Sequence, residues 1–204
     1  DNFANEYLQG RTPNPCVRCN SFVKWDALID QANELDVKYI ATGHYANIQQ
    51  RKDSFFLTKG KDPLKDQTYF LWGIPAQTLS RTLFPLGGYT KKQVRKIAQE
   101  NKLETAEIPE SMEICFVADN NYKRFLKDYV PNKMNAVGAG DIVDEFGETV
   151  GAHDGYPNYT IGQRKGLGLS NPEARYVTQI EPSLNQIVIG KKEALFKNTC
   201  SISH

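Results

Sequence analysis

The fold of this chain is decided by one stretch, Val37-Lys38-Tyr39-Ile40-Ala41-Thr42-Gly43-His44-Tyr45. Its first six residues predict a β-strand, and this strand ends abruptly at a glycine that is followed by polar residues. Upstream, from Trp25 to Leu35, apolar residues recur at spacings of three and four, which predicts a helix. A helix, a strand and a glycine turn in this order are typical of an α/β unit. In open parallel sheets, ligands bind at the carboxyl ends of such strands.

Outward from this stretch, local signals predict most of the other elements. Residues 1–20 are rich in Gly, Pro and Asn and are predicted to form a loop. The further elements are a hairpin of residues 46–48 and 55–58, a short helix over 68–72, a helix capped by Thr90 and Gln93, a strand over 114–117 and a helix capped by Asn120 or Asn121.

The sequence changes in character after Pro131, where glycines separate short alternating runs. These runs are Ile142-Val143, Thr149-Val150, Arg175–Ile180 and Gln186–Ile189. This spacing predicts a small antiparallel β-barrel, which we expect to be partial because a strand-like Cys200-Ser201-Ile202 is left unfinished. The predicted fold class is therefore α/β plus β.

Composition narrows the possible classes of protein. The 204 residues carry a formal net charge of +1, which argues against a mainly electrostatic nucleic-acid binder but leaves room for an RNA enzyme with local basic patches. The apolar runs are too short for a membrane span, so no membrane partner is expected. Four cysteines without a secretory signal indicate a cytoplasmic protein, where cysteine pairs are more often catalytic or metal-binding than structural disulfides.

Two cysteines are candidates for chemistry. Cys16 and Cys19 form a C-x-x-C within Thr12–Asn20. Zinc binding through this pair needs two further ligands, and a redox dithiol or simple burial is also open. We favour a reactive Cys19, because we expect it just before a helix, where free N–H groups favour a thiolate. Arg18 adds positive charge, and the prolines at 13 and 15 hold the loop.

The second candidate, Cys115, lies in Ser111-Met112-Glu113-Ile114-Cys115-Phe116. A cysteine in an apolar run is usually core packing, but the polar residues before it are typical of an exposed loop end. Elsewhere, the Gly43-His44-Tyr45 turn is either a nucleotide contact or a surface turn. The basic segments Lys65-Asp66-Gln67 and Tyr159–Gly166 suit RNA phosphates, although a solvated loop is the commoner explanation for each.

Five stretches, in this order along nearly the whole chain, resemble the bacterial tRNA-specific 2-thiouridylase family (tRNA-uridine 2-sulfurtransferases). They are Thr12–Asn20, Ala41–Ala46, Lys65–Leu71, Ser111–Phe116 and Tyr159–Leu169. The resemblance implies three parts. These are the C-terminal part of a PP-loop (Rossmann-like) adenylating domain over 1–80, a small central α/β domain over 81–133 and a partial C-terminal antiparallel β-barrel over 134–204.

The resemblance also implies an activity and the residues that carry it. ATP, with Mg²⁺, activates C2 of the wobble uridine of tRNA, and a persulfide delivered by a sulfur-donor protein supplies sulfur. Cys115 is then the persulfide carrier and Cys19 the nucleophile, and a transient Cys19–Cys115 disulfide remains. Gly43 contacts ATP. The tRNA contacts are Asn14, Pro15, Cys16, His44, Lys65, Asp66, Gln67, Arg175 and Tyr176. No metal ligand is implied.

Two departures from the family pattern bear on these expectations. Some members carry an acidic residue at the position of Cys16, so an acid/base role there is in doubt. The Ser-Gly-Gly-x-Asp-Ser pyrophosphate loop is absent from these residues, so we expect an internal fragment that is inactive alone. The remaining alternatives are a PP-loop adenylating enzyme with another acceptor, or a non-catalytic RNA-binding or zinc-stabilised module.

Overall fold

A computed structural model describes residues 1–108, 114–169 and 173–199 in two compact units. The first unit contains residues 1–13 and the described residues from 115 onward, and the second contains the described residues of 14–114. The division into three domains, with boundaries at 80/81 and 133/134, stays a prediction. In this part of the chain, none of the helices combines the length and the apolar character needed to cross a membrane.

Over the described residues the α-helices, in chain order, are α1 (Asn2–Leu8), α2 (Pro15–Cys19), α3 (Trp25–Glu34), α4 (Ala76–Leu79), α5 (Lys91–Glu100), α6 (Tyr122–Tyr129) and α7 (Pro131–Val137). The strands are β1 (Ile40–Ala41), β2 (Ala46–Arg51), β3 (Ser54–Lys59), β4 (Thr82–Leu83), β5 (Gly140–Val143), β6 (Thr149–His153), β7 (Tyr176–Glu181) and β8 (Gln186–Gly190). A π-helical turn (Asn20–Lys24) joins α2 to α3, and a 3-10 turn (Thr68–Phe70) precedes α4.

The second unit is built on two short sheets. Strands β1 and β4 pair in parallel, with Ile40 opposite Thr82, and β2 and β3 form the predicted antiparallel hairpin. Trp25, only 1% exposed, anchors α3 to this framework because its indole Nε1 donates a buried 3.0 Å hydrogen bond to the Thr82 hydroxyl. The α/β character predicted from residues 37–45 is confirmed, although β1 is shorter than predicted.

The expectation that residues 1–20 form a loop is wrong. The Asn14 side chain caps α2 by accepting a hydrogen bond from Val17 N at 3.4 Å, and Pro15 occupies the first helical position. Both are helix-start signals. Cys19 is the last residue of α2, so it does not lie among the free N–H groups that were expected to favour its thiolate. These groups belong to the first turn, which contains Cys16.

The first unit contains a four-stranded sheet in the order β6-β5-β8-β7. The predicted strands are present, but the prediction of a purely antiparallel arrangement is wrong for one pair, because β5 and β8 run parallel with Ile142 opposite Ile187. Over the described residues the sheet is open rather than closed into a barrel. Its core is a cluster of buried apolar residues that includes Ile142, Val177 and Ile187, each completely buried.

Helix α1 packs within the first unit through aromatic side chains. Phe3 contacts Phe116 and Phe125 edge-on, with ring centres 5.2 Å and 5.8 Å apart, and Tyr7 stacks on Tyr122 at 4.8 Å. The strand predicted over 114–117 is therefore wrong: Cys115 and Phe116 form a turn. Their apolar neighbours find partners on helices instead of a neighbouring strand, which is the partner that β-structure needs.

Candidate functional site

Cys19 is a free, half-buried thiol at the junction between α2 and the π-helical turn. The residues after it are fixed. Asn20 is 2% exposed and its Nδ2 donates to Phe70 O at 2.9 Å, while the Ser21 hydroxyl donates to Val17 O at 2.8 Å. The π-helical turn widens the helix directly after the cysteine, a distortion that is frequent at functional sites. The thiol thus lies on a supported, helical segment.

The predicted nucleotide turn follows β1. Gly43 is exposed, and a Cβ placed on it would make only an ordinary 3.7 Å contact with Leu86, so the fold does not require glycine here. His44 is half-buried against Trp25, with the ring centres 5.5 Å apart, and Thr42 Oγ1 lies 2.9 Å from its Nδ1. Burial first, and the positive charge of Lys24 second, lower the pKa of His44 to about 4. The imidazole is therefore neutral at pH 7.

The Lys65-Asp66-Gln67 segment is tied to this turn. The backbone N–H of Tyr45 donates to Gln67 Oε1 at 2.9 Å, and Gln67 N donates to Tyr45 O at 3.0 Å. Asp66 accepts from Gly60 N at 3.0 Å and from the Thr68 hydroxyl at 2.7 Å. Asp66 and Gln67 therefore use side-chain oxygens to position the loop, which sequence reasoning did not anticipate.

These bonds bring the motifs of the second unit together. The Asn20–Phe70 hydrogen bond joins the end of the Asn14–Asn20 motif to the 3-10 turn, and the Tyr45–Gln67 pair joins that turn's lead-in to the strand end. Trp25 and His44 close the third side. Three segments that are widely separated in sequence therefore form one cluster around Cys19, Gly43 and His44.

Cys115 is a free, exposed thiol in the first unit. It occupies a turn whose following residues are anchored: Val117 is 2% exposed and Phe116 packs against Phe3. The polar residues before it, from 111 to 113, lie outside the described residues. A thiol that is open to solvent while its chain is held next to it has the access that a sulfur carrier needs.

Arg175 and Tyr176 also lie in the first unit, at the start of β7. Arg175 is engaged in ion pairs, with Nη1 3.2 Å from Glu145 Oε2 and Nη2 3.6 Å from Glu173 Oε2. Tyr176 is half-buried and faces Gly190 of β8 in the register. The ion pairs show that a phosphate approaching Arg175 meets two carboxylates first.

Sequence reasoning missed two features of the site. One is the pinning role of Asn20, for which the signal was its place directly after Cys19. The other is a group of exposed aromatic side chains on the same cluster, at Phe22, Tyr69 and Trp72. Within the described ranges, no group of three or more His, Cys, Asp or Glu side chains is placed to hold a metal ion.

Comparison with known proteins gives two family matches along the chain. The model described as the tRNA methyl transferase HUP domain matches residues 1–119, and the model described as the tRNA methyl transferase PRC-barrel domain matches residues 123–191. These two domain types agree with an α/β part followed by a β part.

Curated relatives are similar over almost the whole chain. The tRNA-specific 2-thiouridylase MnmA of Salinibacter ruber is 52% identical over 202 residues, covering 98% of this chain and 53% of the relative. The protein of the same name from Amoebophilus asiaticus is 50% identical, covering 97% of this chain and 53% of the relative. The chain thus spans about half the length of the curated relatives it matches. Because the HUP-domain match alone covers more than half of the chain, the chain belongs to the tRNA methyl transferase HUP family, and its predicted resemblance to the tRNA-specific 2-thiouridylases is confirmed.

Proposed function

We propose that this chain carries the sulfur-transfer residues of a cytoplasmic tRNA-uridine 2-sulfurtransferase, which converts the wobble uridine of tRNA to 2-thiouridine. The observation that carries the proposal is the pair of accessible free thiols, Cys19 and Cys115, in a chain of this family. Cys19 is supported by the hydrogen bonds of its two neighbours, and Cys115 by the packing of Phe116. Each thiol is therefore both held and reachable.

The proposed nucleotide is ATP, with Mg²⁺ as the counter-ion of its phosphates. Gly43 at the carboxyl end of β1 fits this role, since its backbone is exposed and it carries no side chain that would keep a ligand away. ATP supplies the adenylyl group that turns the C2 oxygen of uridine into a leaving group. The finer fold assignment, a PP-loop adenylating part with a small central domain and a partial barrel, belongs to this proposal.

The sulfur step balances with two thiols. The terminal sulfur of a Cys115 persulfide attacks C2, the C2–O bond breaks and AMP leaves, so that C2 is joined to Cys115 through two sulfurs. The Cys19 thiolate then attacks Cys115 Sγ, the old S–S bond breaks and the sulfur stays on C2. The transferred sulfur gains two electrons, which the two cysteines lose as they form a disulfide. This disulfide requires Cα atoms within about 7 Å.

A sulfur-donor protein loads Cys115, and a dithiol reductant resets the disulfide after each turnover. The tRNA is held by Asn14, Pro15, Cys16, His44, Lys65, Asp66, Gln67, Arg175 and Tyr176. His44 enters this set as a neutral hydrogen-bonding ring because burial lowers its pKa to about 4. Its contribution to RNA affinity should therefore be independent of salt, unlike that of Lys65, whose positive charge displaces counter-ions from phosphate.

The test uses the full-length protein with ATP, Mg²⁺, tRNA and a persulfide-loaded donor. Digested tRNA is assayed for 2-thiouridine, and the Cys115 peptide is assayed for an added sulfur by mass spectrometry. Cys115→Ser should abolish both signals. Cys19→Ser should keep sulfur on Cys115 and abolish 2-thiouridine. Cys16→Ser is the matched control, because it removes a neighbouring exposed thiol that has no part in the transfer step.

Several outcomes contradict the proposal. Thiolation at the native rate by Cys115→Ser removes the carrier role, and stoichiometric zinc bound through Cys16 and Cys19 replaces it with a structural one. Adenylation of an acceptor other than tRNA supports the alternative PP-loop enzyme. For the ATP contact, Gly43→Ala should raise the KM for ATP while leaving the unfolding temperature unchanged, since the added methyl group meets only Leu86 at 3.7 Å.

A further inference from the structure

Three large aromatic side chains are left exposed beside Cys19. Phe22 is 64% exposed, Tyr69 is 66% exposed and Trp72 is 70% exposed. Aromatic rings contribute large apolar areas, so leaving them in water forgoes stabilisation that burial would give. Several such rings on one surface indicate a contact site rather than isolated exposure.

The three rings belong to one surface of the second unit. Asn20 Nδ2 bonds to Phe70 O at 2.9 Å, and a Cβ built on Gly73 would come within 2.1 Å of Ser21 Oγ. Residues 20–21 are therefore in direct contact with residues 70–73. Phe22 follows the first of these segments, while Tyr69 and Trp72 flank the second, so the rings emerge around a single contact. Cys19 directly precedes it.

Positive charge surrounds these rings. The Arg18 guanidinium lies 5.0 Å from the centre of the Phe22 ring, a cation–π distance. Lys65 lies just before the 3-10 turn that carries Tyr69, and Lys24 is near enough to His44 to affect its pKa. The neighbouring Asp66 has both carboxylate oxygens occupied by Gly60 N and the Thr68 hydroxyl. Aromatic faces with cations at their edges match unpaired bases on a phosphate backbone.

We propose that Phe22, Tyr69 and Trp72 form a base-stacking platform for the unpaired loop nucleotides of the RNA substrate, next to the uridine that Cys19 serves. This inference rests on the proposed function for the identity of the RNA, and it adds residues that bind by stacking rather than by hydrogen bonds. Stacking on an aromatic side chain contributes about 1–3 kcal/mol per base. This range corresponds to about a 5-fold to 100-fold change in Kd per ring.

Tryptophan fluorescence of the full-length protein is a direct probe. The described chain has two tryptophans in opposite environments, Trp25 at 1% exposed and Trp72 at 70% exposed. An anticodon stem-loop RNA should quench the emission of Trp72, and a fully paired duplex of the same length should not. In Trp72→Phe, which keeps only the buried Trp25 of this pair, the quenching should be lost.

Affinity gives the second readout. Trp72→Ala and Tyr69→Ala should each raise the Kd for the stem-loop about 5-fold or more, and should raise the KM for tRNA in parallel. Phe146→Ala is the matched control, because Phe146 is 84% exposed in the other unit and has no assigned role. Its Kd and KM should equal those of the native protein.

Two results overturn the platform. Native affinity in both Trp72→Ala and Tyr69→Ala removes the stacking contribution. In the free full-length protein, acrylamide quenching of Trp72 as weak as that of Trp25 shows that protein, rather than RNA, covers these rings. Binding and quenching require no turnover, so they report on the platform even where sulfur transfer itself fails. Conversely, confirmed thiolation with unchanged affinities rejects the platform alone.

Discussion

Lowering the pH from 7 to 5 should destabilise the second unit through His44. The ring is half-buried, with its centre 5.5 Å from that of Trp25 and 6.2 Å from that of Phe84. This burial, with the charge of Lys24 as the second cause, lowers the pKa of His44 from 6.5 to about 4. The folded protein therefore keeps the imidazole neutral at pH values where the unfolded chain protonates it.

The sign and size follow from linkage. Between pH 6.5 and about 4 the unfolded state binds a proton at His44 that the folded state does not, so the free energy of unfolding falls as the pH falls through this window. These two pKa values give a loss of about 2 kcal/mol between pH 7 and pH 5. Since the ring is partly open to water, screening reduces the expected loss to about 1 kcal/mol.

Urea unfolding at pH 7, 6 and 5 measures this loss in the native protein and in His44→Gln. The variant should lose about 1 kcal/mol less over the same range, whatever its stability at pH 7. His153, whose pKa burial also lowers, is present in both proteins and cancels in the comparison. Equal pH slopes for the two proteins, or an NMR titration that places the pKa of His44 above 6, would refute the reasoning.

Three further predictions concern folding and the support of the site. Thr90→Ala removes the capping box of α5, in which Thr90 Oγ1 accepts from Gln93 N, and should lower the free energy of unfolding by about 1 kcal/mol in urea denaturation. Gly87→Ala should cost about 3 kcal/mol or more in thermal unfolding, because the new Cβ would lie 1.9 Å from a backbone oxygen of β2; Gly88→Ala, with nothing within 4 Å, should be nearly neutral. Phe3→Ala should cost about 3 kcal/mol and speed thiol labelling of Cys115, because it removes the ring that packs on Phe116; unchanged labelling contradicts this support.

Local signals predicted the elements that depend only on neighbouring residues. The capping box of α5 and the Asn121 cap of α6 are both confirmed, since a cap is completed within four residues. The same rule should have identified α2, where Asn14 and Pro15 mark the start, but the composition of residues 1–20 concealed it. The strand predicted over 114–117 is wrong because its apolar residues pack on helices that are distant in sequence.

The sequence by itself determined the family, the order of the motifs and the residue types available for chemistry. It could not determine which side chains of those motifs are already engaged. Only the tertiary structure decided that Gln67 holds Tyr45, that Arg175 pairs with Glu145, and that His44 is neutral while Trp72 is exposed. The physical reason is that burial, charge and hydrogen bonding depend on groups brought together from distant parts of the chain. The spacing of residues within a motif carries no information about those partners.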